Sequence, residues 1–275
     1  MLLEYLPFAG EDAATLTCGS LAAMNRLAIP CLALALGSAA HAQVLPFNDA
    51  GVTMGHHHIM VPDVEAQRAI WVDALGGEAS GNPPLLFVKF PGTFLILSNG
   101  QGTEGTKGSA IDHIAFNVRD LAATHEKLAA AGVSIFNESD SRFDATLPGD
   151  IEVHFFGDPS LATPIAYRAM AFVSSDPEAQ RAWWEAMLGA RTTQEGEMTV
   201  STIPGARLFF TQGPAEPTRG RTLDHTGIDV ADVGDFCEQL AAKGVECEML
   251  FNGAAAMITD PGGVTIEINA GLENR

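Results

Sequence analysis

The feature that most constrains the fold is an internal repeat that spans much of this 275-residue chain. The segment DVEAQRAIWVDALGG at residues 63–77 returns as DPEAQRAWWEAMLGA at residues 176–190. The segment AIDHIAFNVRDL at residues 110–121 returns as TLDHTGIDVADV at residues 222–233. Ordered matches at nearly one offset indicate a duplicated domain. We therefore predict one domain over residues 52–158, a linker over residues 159–166 and a second domain over residues 167–272.

Each predicted domain consists of two similar halves. In the first domain, HHHIMVPD begins one half and HIAFNVRD begins the other, 57 residues later. In both halves an alternating strand ends in an aspartate, Asp63 or Asp120, whose side chain can cap the helix that follows. Glycines predict the helix ends, and strand-like runs follow them. This order predicts an α+β fold with helices on one face of curled, largely antiparallel sheets.

The charge of the chain argues against two classes of partner. The chain carries 34 acidic and 15 basic residues, which gives a formal net charge of −19. Such a surface repels phosphate backbones and anionic lipids. We therefore expect neither a nucleic-acid partner nor binding to a membrane surface.

Residues 1–42 are predicted to be a leader that is not part of the fold. From Met24, a short basic start precedes an apolar stretch at residues 27–40, and Ala40 and Ala42 fit a signal peptide that is cleaved after Ala42. The apolar stretch includes a proline and is shorter than the roughly 20 residues that a membrane span needs. We predict a periplasmic or secreted protein that has no membrane association after cleavage.

Two cysteines, Cys237 and Cys247, lie in the predicted mature chain. An even pair in an exported protein permits one disulfide. The rises of a helix and a strand place both residues about 10 Å from the turn at Gly244, so a bridge is geometrically possible. Two buried free thiols are an equally supported alternative.

The repeated sequence resembles the vicinal oxygen chelate superfamily, which includes glyoxalase I, the bleomycin-resistance proteins and the extradiol dioxygenases. The resemblance rests on DHIAFNVRDL, LDHTGIDVADV, the helix endings ALGG and MLGA, and TDPGGVTIEIN at residues 259–269, and it covers the whole predicted mature chain. It implies that paired βαβββ modules curl into open half-barrels. It also implies a divalent metal held by histidine on the first strand of each module and by glutamate on a last strand.

Counting within the repeats locates these ligand positions. Seven residues before the aspartate that ends each first strand, the four modules carry His56, His113, Ala169 and His225. On the last strands, LPGDIEVHFF aligns without a gap with DPGGVTIEIN, so His154 stands where the second domain carries Glu267. His58 shares a strand face with His56, and Glu152 shares one with His154.

We expect a functional metal site in the first domain, formed by His56, His113 and His154, because three protein ligands leave a metal ion open positions for substrate. Glu152 and His58 are the alternates, able to ligate the ion or to orient its ligands. Glu152 is also the candidate catalytic base.

The second domain offers only His225 and Glu267, and we expect its site to be degenerate because Ala169 replaces the first imidazole. Three imidazoles suit Zn, Fe, Ni or Cu better than Mg or Ca, and Fe or Mn fits if Glu152 replaces His154. The sequence does not choose among these metals.

The resemblance implies a metal-dependent enzyme, either a lyase or isomerase or a dioxygenase, that chelates a small oxygen-rich substrate, and the predicted leader implies that this enzyme is exported. The alternative is a metal-free protein that sequesters a small molecule, as the bleomycin-resistance proteins do. Convergence of the three imidazoles on one point would distinguish the two. Either a monomer or a homodimer is compatible with the sequence.

Overall fold

The structure is a computed structural model that describes residues 45–82 and 84–272. The predicted leader at residues 1–42 lies outside these residues. Within the described part of the chain, no helix is long and apolar enough to cross a membrane.

The described residues form four modules, each with the order strand, helix, three strands. Module 1 contains β1 (Val52–Val61), α1 (Val64–Arg68), β2 (Glu78–Asn82), β3 (Leu85–Phe90) and β4 (Thr93–Asn99), and a π-helical segment at Ala69–Ala74 continues α1. Module 2 contains β5 (Ile111–Val118), α2 (Leu121–Ala130), β6 (Ser134–Phe136), β7 (Arg142–Leu147) and β8 (Ile151–Gly157).

The second repeat supplies the other two modules. Module 3 contains β9 (Ile165–Ser174), α3 (Pro177–Leu188), β10 (Arg191–Glu195), β11 (Met198–Ile203) and β12 (Ala206–Gln212). Module 4 contains β13 (Leu223–Val230), α4 (Val233–Ala241), β14 (Glu248–Leu250), β15 (Ala255–Thr259) and β16 (Thr265–Ala270), with a 3₁₀ turn at Phe251–Gly253.

An aspartate caps the helix of every module. Each side chain accepts a hydrogen bond from the backbone N–H three residues later, at 2.8–3.0 Å, which satisfies one of the free donors of the first helical turn. The four caps are Asp63, Asp120, Asp176 and Asp232. The predicted aspartate caps are therefore confirmed, and they fix the direction in which each chain segment leaves its first strand.

The strands assemble into two eight-stranded mixed sheets. Sheet 1 has the order β14-β15-β16-β13-β1-β4-β3-β2, and sheet 2 has the order β10-β11-β12-β9-β5-β8-β7-β6. At the centre of each sheet two first strands pair antiparallel, β1 with β13 and β5 with β9. Helix α3 packs on β9 and β12, and α4 packs on β15 and β16. The predicted α+β class with open sheets is confirmed.

Each sheet consists of two modules, as predicted, but the two modules come from different repeats. Sheet 1 joins modules 1 and 4, whereas sheet 2 joins modules 2 and 3. Modules 2 and 3 are consecutive in the chain, and only the short segment 158–164 separates β8 from β9. Neighbours in sequence commonly become neighbours in space. The expectation that one repeat closes its own half-barrel is therefore not met.

A hydrophobic core runs between the two sheets. Trp71 and Trp184, which occupy equivalent positions in the two repeats, are both fully buried. The ring of Trp71 contacts Phe90 of sheet 1 and Phe116 of sheet 2, with centroids 6.2 and 5.9 Å away. Aromatic contacts of this kind bury a large apolar area, so the core holds the two sheets together as one unit.

Polar contacts also cross between the sheets. The backbone N–H of Met54 donates to the carbonyl of Pro204 at 2.8 Å, and that of Tyr167 donates to the carbonyl of Pro91 at 2.9 Å. The Nε2 atom of His57 lies 2.9 Å from the hydroxyl of Tyr167. Complete burial lowers the pKa of His57 to about 3, with smaller contributions from neighbouring imidazoles. His57 is therefore a neutral hydrogen-bonding residue of the core at neutral pH.

Cys237 and Cys247 form a disulfide, with their Cα atoms 5.9 Å apart. The bridge ties α4 to the segment that precedes β14. Of the two alternatives that the sequence left open, the structure therefore contains the bridged one.

Candidate functional site

One face of sheet 1 brings together His56, His225 and Glu267, here called the sheet 1 cluster. These residues lie on the neighbouring strands β1, β13 and β16. Gly227 on β13 stands opposite His56 on one side and opposite Glu267 on the other. His225 lies two residues before Gly227 and therefore points to the same face. Strand register thus places the three side chains side by side.

Both imidazoles of the sheet 1 cluster converge on a single carboxylate oxygen. The Nε2 atom of His56 lies 3.1 Å from Oε2 of Glu267, and the Nε2 atom of His225 lies 2.9 Å from the same oxygen. All three residues are buried. Two ligand atoms bound at right angles to one divalent ion lie about 3 Å apart, since each metal bond is about 2.0–2.2 Å long. The residues present therefore fit a metal ion.

Asp224 orients the central ligand of this cluster. Its Oδ1 atom accepts a hydrogen bond from Nδ1 of His225 at 2.6 Å, and its Oδ2 atom accepts one from the backbone N–H of Gly220. A carboxylate on one ring nitrogen fixes the orientation of the ring and directs the other nitrogen at a metal. Asp224 therefore aims Nε2 of His225 at Glu267.

Charges within the cluster oppose the cost of burying it. Burial raises the pKa of Glu267, but hydrogen bonds from His225 and His56 outweigh burial and hold this pKa well below its ordinary value. Burial lowers the pKa of His225, but the carboxylates of Asp224 and Glu267 outweigh it and raise this pKa overall. Because ligation requires a neutral imidazole, a raised pKa of His225 means that a metal ion and a proton compete for this residue.

Gly227 makes room for His56. A Cβ atom at position 227 would overlap the imidazole ring of His56. In sheet 2 the corresponding position is Ala115, whose neighbour on β9 is Ala169 rather than a histidine. A methyl group is therefore tolerated in sheet 2, where no imidazole lies over the backbone.

The other two histidines of the triplet have separate environments. His58 pairs with His225 across the strands, and the two ring centroids are 4.6 Å apart. The Nε2 atom of His58 lies 2.7 Å from Oγ of Ser98. Burial lowers the pKa of His58 to about 4, with a further contribution from His225. His58 is thus a neutral neighbour of the sheet 1 cluster, whereas His57 points into the core.

An apolar cavity of about 320 Å³ is lined mainly by β2, β3 and β4, and β4 is the neighbour of β1 in sheet 1. Its walls include Phe87, Phe94 and Ile96. Phe94 pairs with His56 and Ile96 pairs with His58, so these walls stand beside the imidazoles. The Nζ atom of Lys89 lies 5.5 Å from the centroid of the Phe94 ring, which places one cation at the edge of an otherwise apolar wall.

Sheet 2 carries a different group, His113, Glu152 and His154, here called the sheet 2 cluster. The rings of His113 and His154 stack with centroids 3.5 Å apart. The Nε2 atom of His154 lies 2.8 Å from Oε1 of Glu152. Asp112 accepts from Nδ1 of His113 at 2.8 Å, and this hydrogen bond lowers the pKa of Asp112 against the opposing effect of burial. The potential ligand atoms lie within 4.8 Å of one another.

The two clusters differ in how their ligand atoms are arranged. In the sheet 1 cluster two imidazole nitrogens point at one carboxylate oxygen. In the sheet 2 cluster the imidazoles lie face to face, and Asp144 approaches the second nitrogen of His154 at 3.5 Å. Stacked rings direct their nitrogens along similar lines rather than towards a common point. The sheet 1 cluster is therefore the better candidate metal centre.

The expected grouping of His56 with His113 and His154 is wrong. His56 belongs to sheet 1, whereas His113 and His154 belong to sheet 2. The partners of His56 are His225 and Glu267, the residues expected to form a degenerate site. Counting within repeats gave the ligand positions, but it could not show that β1 pairs with a first strand of the other repeat. Glu152, expected as a base at this site, contacts His154 instead.

Sequence reasoning missed Gly227 and Asp224, the two residues that position the side chains of the sheet 1 cluster. The signal was present in the alignment of LDHTG with IDHIA, where glycine and alanine occupy one position. The sequence could not show that His56 pairs with that position across the sheet.

Comparisons with known proteins agree with this fold. The model of the Glyoxalase/Bleomycin resistance protein/Dioxygenase superfamily matches residues 53–159 and 167–268. Glyoxalase I from Zea mays has a similar structure, with a TM-score of 0.63 and 16% sequence identity, over 80% of this chain and 93% of that one. A proposed dioxygenase from Bacillus subtilis gives 0.64 and 13%, over 83% and 86%. The search of curated proteins found no match.

We predict that Gly227→Ala disrupts the sheet 1 cluster. The added methyl group overlaps the imidazole of His56, so we expect the free energy of unfolding to fall by about 1–3 kcal/mol, as overpacking typically costs. Urea denaturation measures this loss, and a crystal structure of the variant reports the position of His56.

Ala115→Gly is the matched control, because it changes the corresponding position of sheet 2 and should leave His56 in place. Wild-type stability in Gly227→Ala, together with an unmoved His56, would show that the glycine is not needed for space.

Proposed function

Because the chain belongs to the Glyoxalase/Bleomycin resistance protein/Dioxygenase superfamily, we propose that it is a divalent-metal-dependent enzyme whose metal ligands are His56, His225 and Glu267. The observation that carries this proposal is the approach of two imidazole nitrogens to one oxygen of Glu267. Two histidines and one carboxylate form the ligand set of non-haem Fe(II) oxygenases, which leave several positions open. A bound divalent ion would act as a Lewis acid towards two adjacent substrate oxygens.

The position on β4 that corresponds to Glu267 could supply a fourth metal ligand, and the residue found there favours ring cleavage over isomerisation. On β16, Glu267 stands opposite the residue two positions after His225. In module 1 the equivalent position on β4 is the one that pairs with His58, which lies two residues after His56. This position is occupied by Ile96. Module 1 therefore contributes no carboxylate there, and Glu267 is already held by hydrogen bonds to both imidazoles. Proton abstraction by a ligating glutamate, which the resemblance to glyoxalase I would require, finds no suitable residue at this site.

The walls beside the cluster favour a substrate that contains an aromatic ring. Phe87, Phe94 and Ile96 offer apolar contacts next to the metal ligands. A flat ring with two adjacent oxygens could place its oxygens at the cluster and its carbon skeleton against these side chains. The substrate class we propose is therefore a catechol, and the reaction is oxidative ring cleavage with O₂.

His58 is the residue that we propose to accept a proton from the substrate. It is neutral at neutral pH because its pKa is lowered to about 4, and it lies beside His225. The hydroxyl of Ser98 holds one ring nitrogen, which fixes the orientation of the ring. A positioned general base of this kind contributes about 10²- to 10⁴-fold to a rate.

We expect metal analysis to find close to one ion per chain, lost in His225→Ala and Glu267→Ala. Removal of either ligand leaves two, which seldom hold a divalent ion. Elemental mass spectrometry after exhaustive dialysis measures the metal content.

The matched controls are His113→Ala and His154→Ala of the sheet 2 cluster, which should keep the ion. Loss of metal in the controls but not in Glu267→Ala would assign the ion to sheet 2, and no metal in the wild type would favour the metal-free binding protein.

We expect the Fe(II)-loaded protein to consume O₂ with catechol at roughly 10²-fold lower turnover after His58→Gln, because the proton acceptor is lost. An oxygen electrode measures the rate, and metal analysis of the same sample must show unchanged iron. His125→Gln, on the surface of α2, is the control and should retain full turnover. A metal-replete wild type that consumes no O₂ with any catechol would exclude this substrate class.

We further propose that the protein is exported and loses residues 1–42. The basic start at Arg26, the apolar stretch and the small residues before Gln43 support this proposal. N-terminal sequencing of the protein from the periplasm or medium should begin at Gln43. A protein that keeps its original N-terminus and remains inside the cell would contradict it.

A further inference from the structure

A second cavity, of about 670 Å³, lies where the start of β9 meets the turns of two hairpins. One turn, at Pro91–Gly92, belongs to sheet 1, and the other, next to Gly205, belongs to sheet 2. The residues of the sheet 1 and sheet 2 clusters do not line this cavity. Its volume lies within the range of about 300–1,000 Å³ that is typical of small-molecule sites.

Arg168 lines this cavity, and two neighbouring side chains fix the position of its guanidinium group. Its Nη1 atom donates to Oδ1 of Asn117 at 2.8 Å, and its Cζ atom lies 4.4 Å from the centroid of the Phe156 ring. Among the residues that the structure describes, the arginines in ion pairs are Arg142, Arg181, Arg191, Arg207, Arg219 and Arg221. Arg168 is therefore held by an amide and an aromatic ring, without a carboxylate at ion-pair distance in the described chain.

Arg207 brings a second guanidinium group to the same cavity. Two of its N–H groups donate to Glu195, at 3.1 and 2.7 Å, which fixes its orientation. The Nε–H of Arg207 is buried and has no acceptor within hydrogen-bond distance among the described residues. Glu195 therefore leaves part of the hydrogen-bonding capacity of Arg207 unused.

The two arginines repel each other. Burial lowers the pKa of Arg168, and the charge of Arg207 lowers it further, while Glu195 and Asp158 have smaller effects in the opposite direction. This convergence of cations occurs in a chain with only 15 basic and 34 acidic residues. Paired arginines with a fixed orientation suit the planar or branched oxygens of carboxylates and phosphates.

Apolar side chains complete the lining. Leu45 and Ile203 line the cavity together with the two arginines. The volume exceeds what a bare inorganic anion fills, and the apolar lining can contact a carbon skeleton. The ligand that fits both features is an organic anion with a compact apolar body.

We propose that this cavity binds a small organic anion, whose carboxylate or phosphate group bridges Arg168 and Arg207. The site is separate from the proposed metal centre, and the proposal stands whether or not the protein is a dioxygenase.

Calorimetric titration of the purified protein tests this site with benzoate, phenyl phosphate and the neutral analogue benzamide. The wild type should bind at least one anion and should bind benzamide at least tenfold more weakly. Because charge-assisted hydrogen bonds are lost, Arg168→Gln and Arg207→Gln should weaken anion binding about 10- to 100-fold. Arg219→Gln, which removes an equal charge from an exposed ion pair elsewhere, is the matched control and should bind as the wild type does.

The remaining arms separate the possible outcomes. Stronger binding of benzoate identifies a carboxylate site, and stronger binding of phenyl phosphate identifies a phosphate site. Arg168→Lys keeps the charge and should retain part of the affinity, which covers the case in which Arg168→Gln fails to fold. Glu267→Gln should bind the anion normally. Loss of binding in Glu267→Gln would assign the anion to the metal centre, and unchanged binding in Arg168→Gln, or none in the wild type, would equally overturn the proposal.

Discussion

The antiparallel pairing of β1 with β13 is the interaction on which the candidate site depends. It places His56 of the first repeat beside His225 and Glu267 of the second. A one-residue shift of this register would turn His56 towards the core and bring His57 to the site face, because strand side chains alternate. The backbone ladder between these strands therefore determines which of three consecutive histidines can meet the carboxylate.

The same kind of pairing explains a difference between the two sheets. The space for His56 exists because its partner residue, Gly227, has no side chain. Sheet 2 carries Ala169 and Ala115 at the corresponding pair of positions. Sheet 1 fills this space with an imidazole that faces a glycine, and sheet 2 fills it with two facing methyl groups. The identity of one member of each pair restricts the other, although the members are more than 50 residues apart in sequence.

Much of the fold could be predicted from the sequence because its signals are local. The repeat predicts four modules. Aspartates such as Asp63 and Asp176 predict where the helices begin, because each accepts a hydrogen bond from the backbone N–H three residues later. The ligand positions also follow from local counting. What local counting cannot supply is the choice of partner module, since every first strand carries a similar pattern. His113 and His225 are indistinguishable as partners for His56 until the sheet order is known, and that order depends on packing across the whole core.

The short connection between β8 and β9 has a consequence for how the candidate metal centre assembles. It joins two halves of a chain that each contain one module of sheet 1 and one module of sheet 2. Neither half holds both His56 and Glu267, so the centre arises from two complementary fragments that the connection keeps together. Such a tether replaces a dissociation constant by an effective concentration. The assembly of the candidate centre is thereby unimolecular, and dilution of the protein would not take it apart.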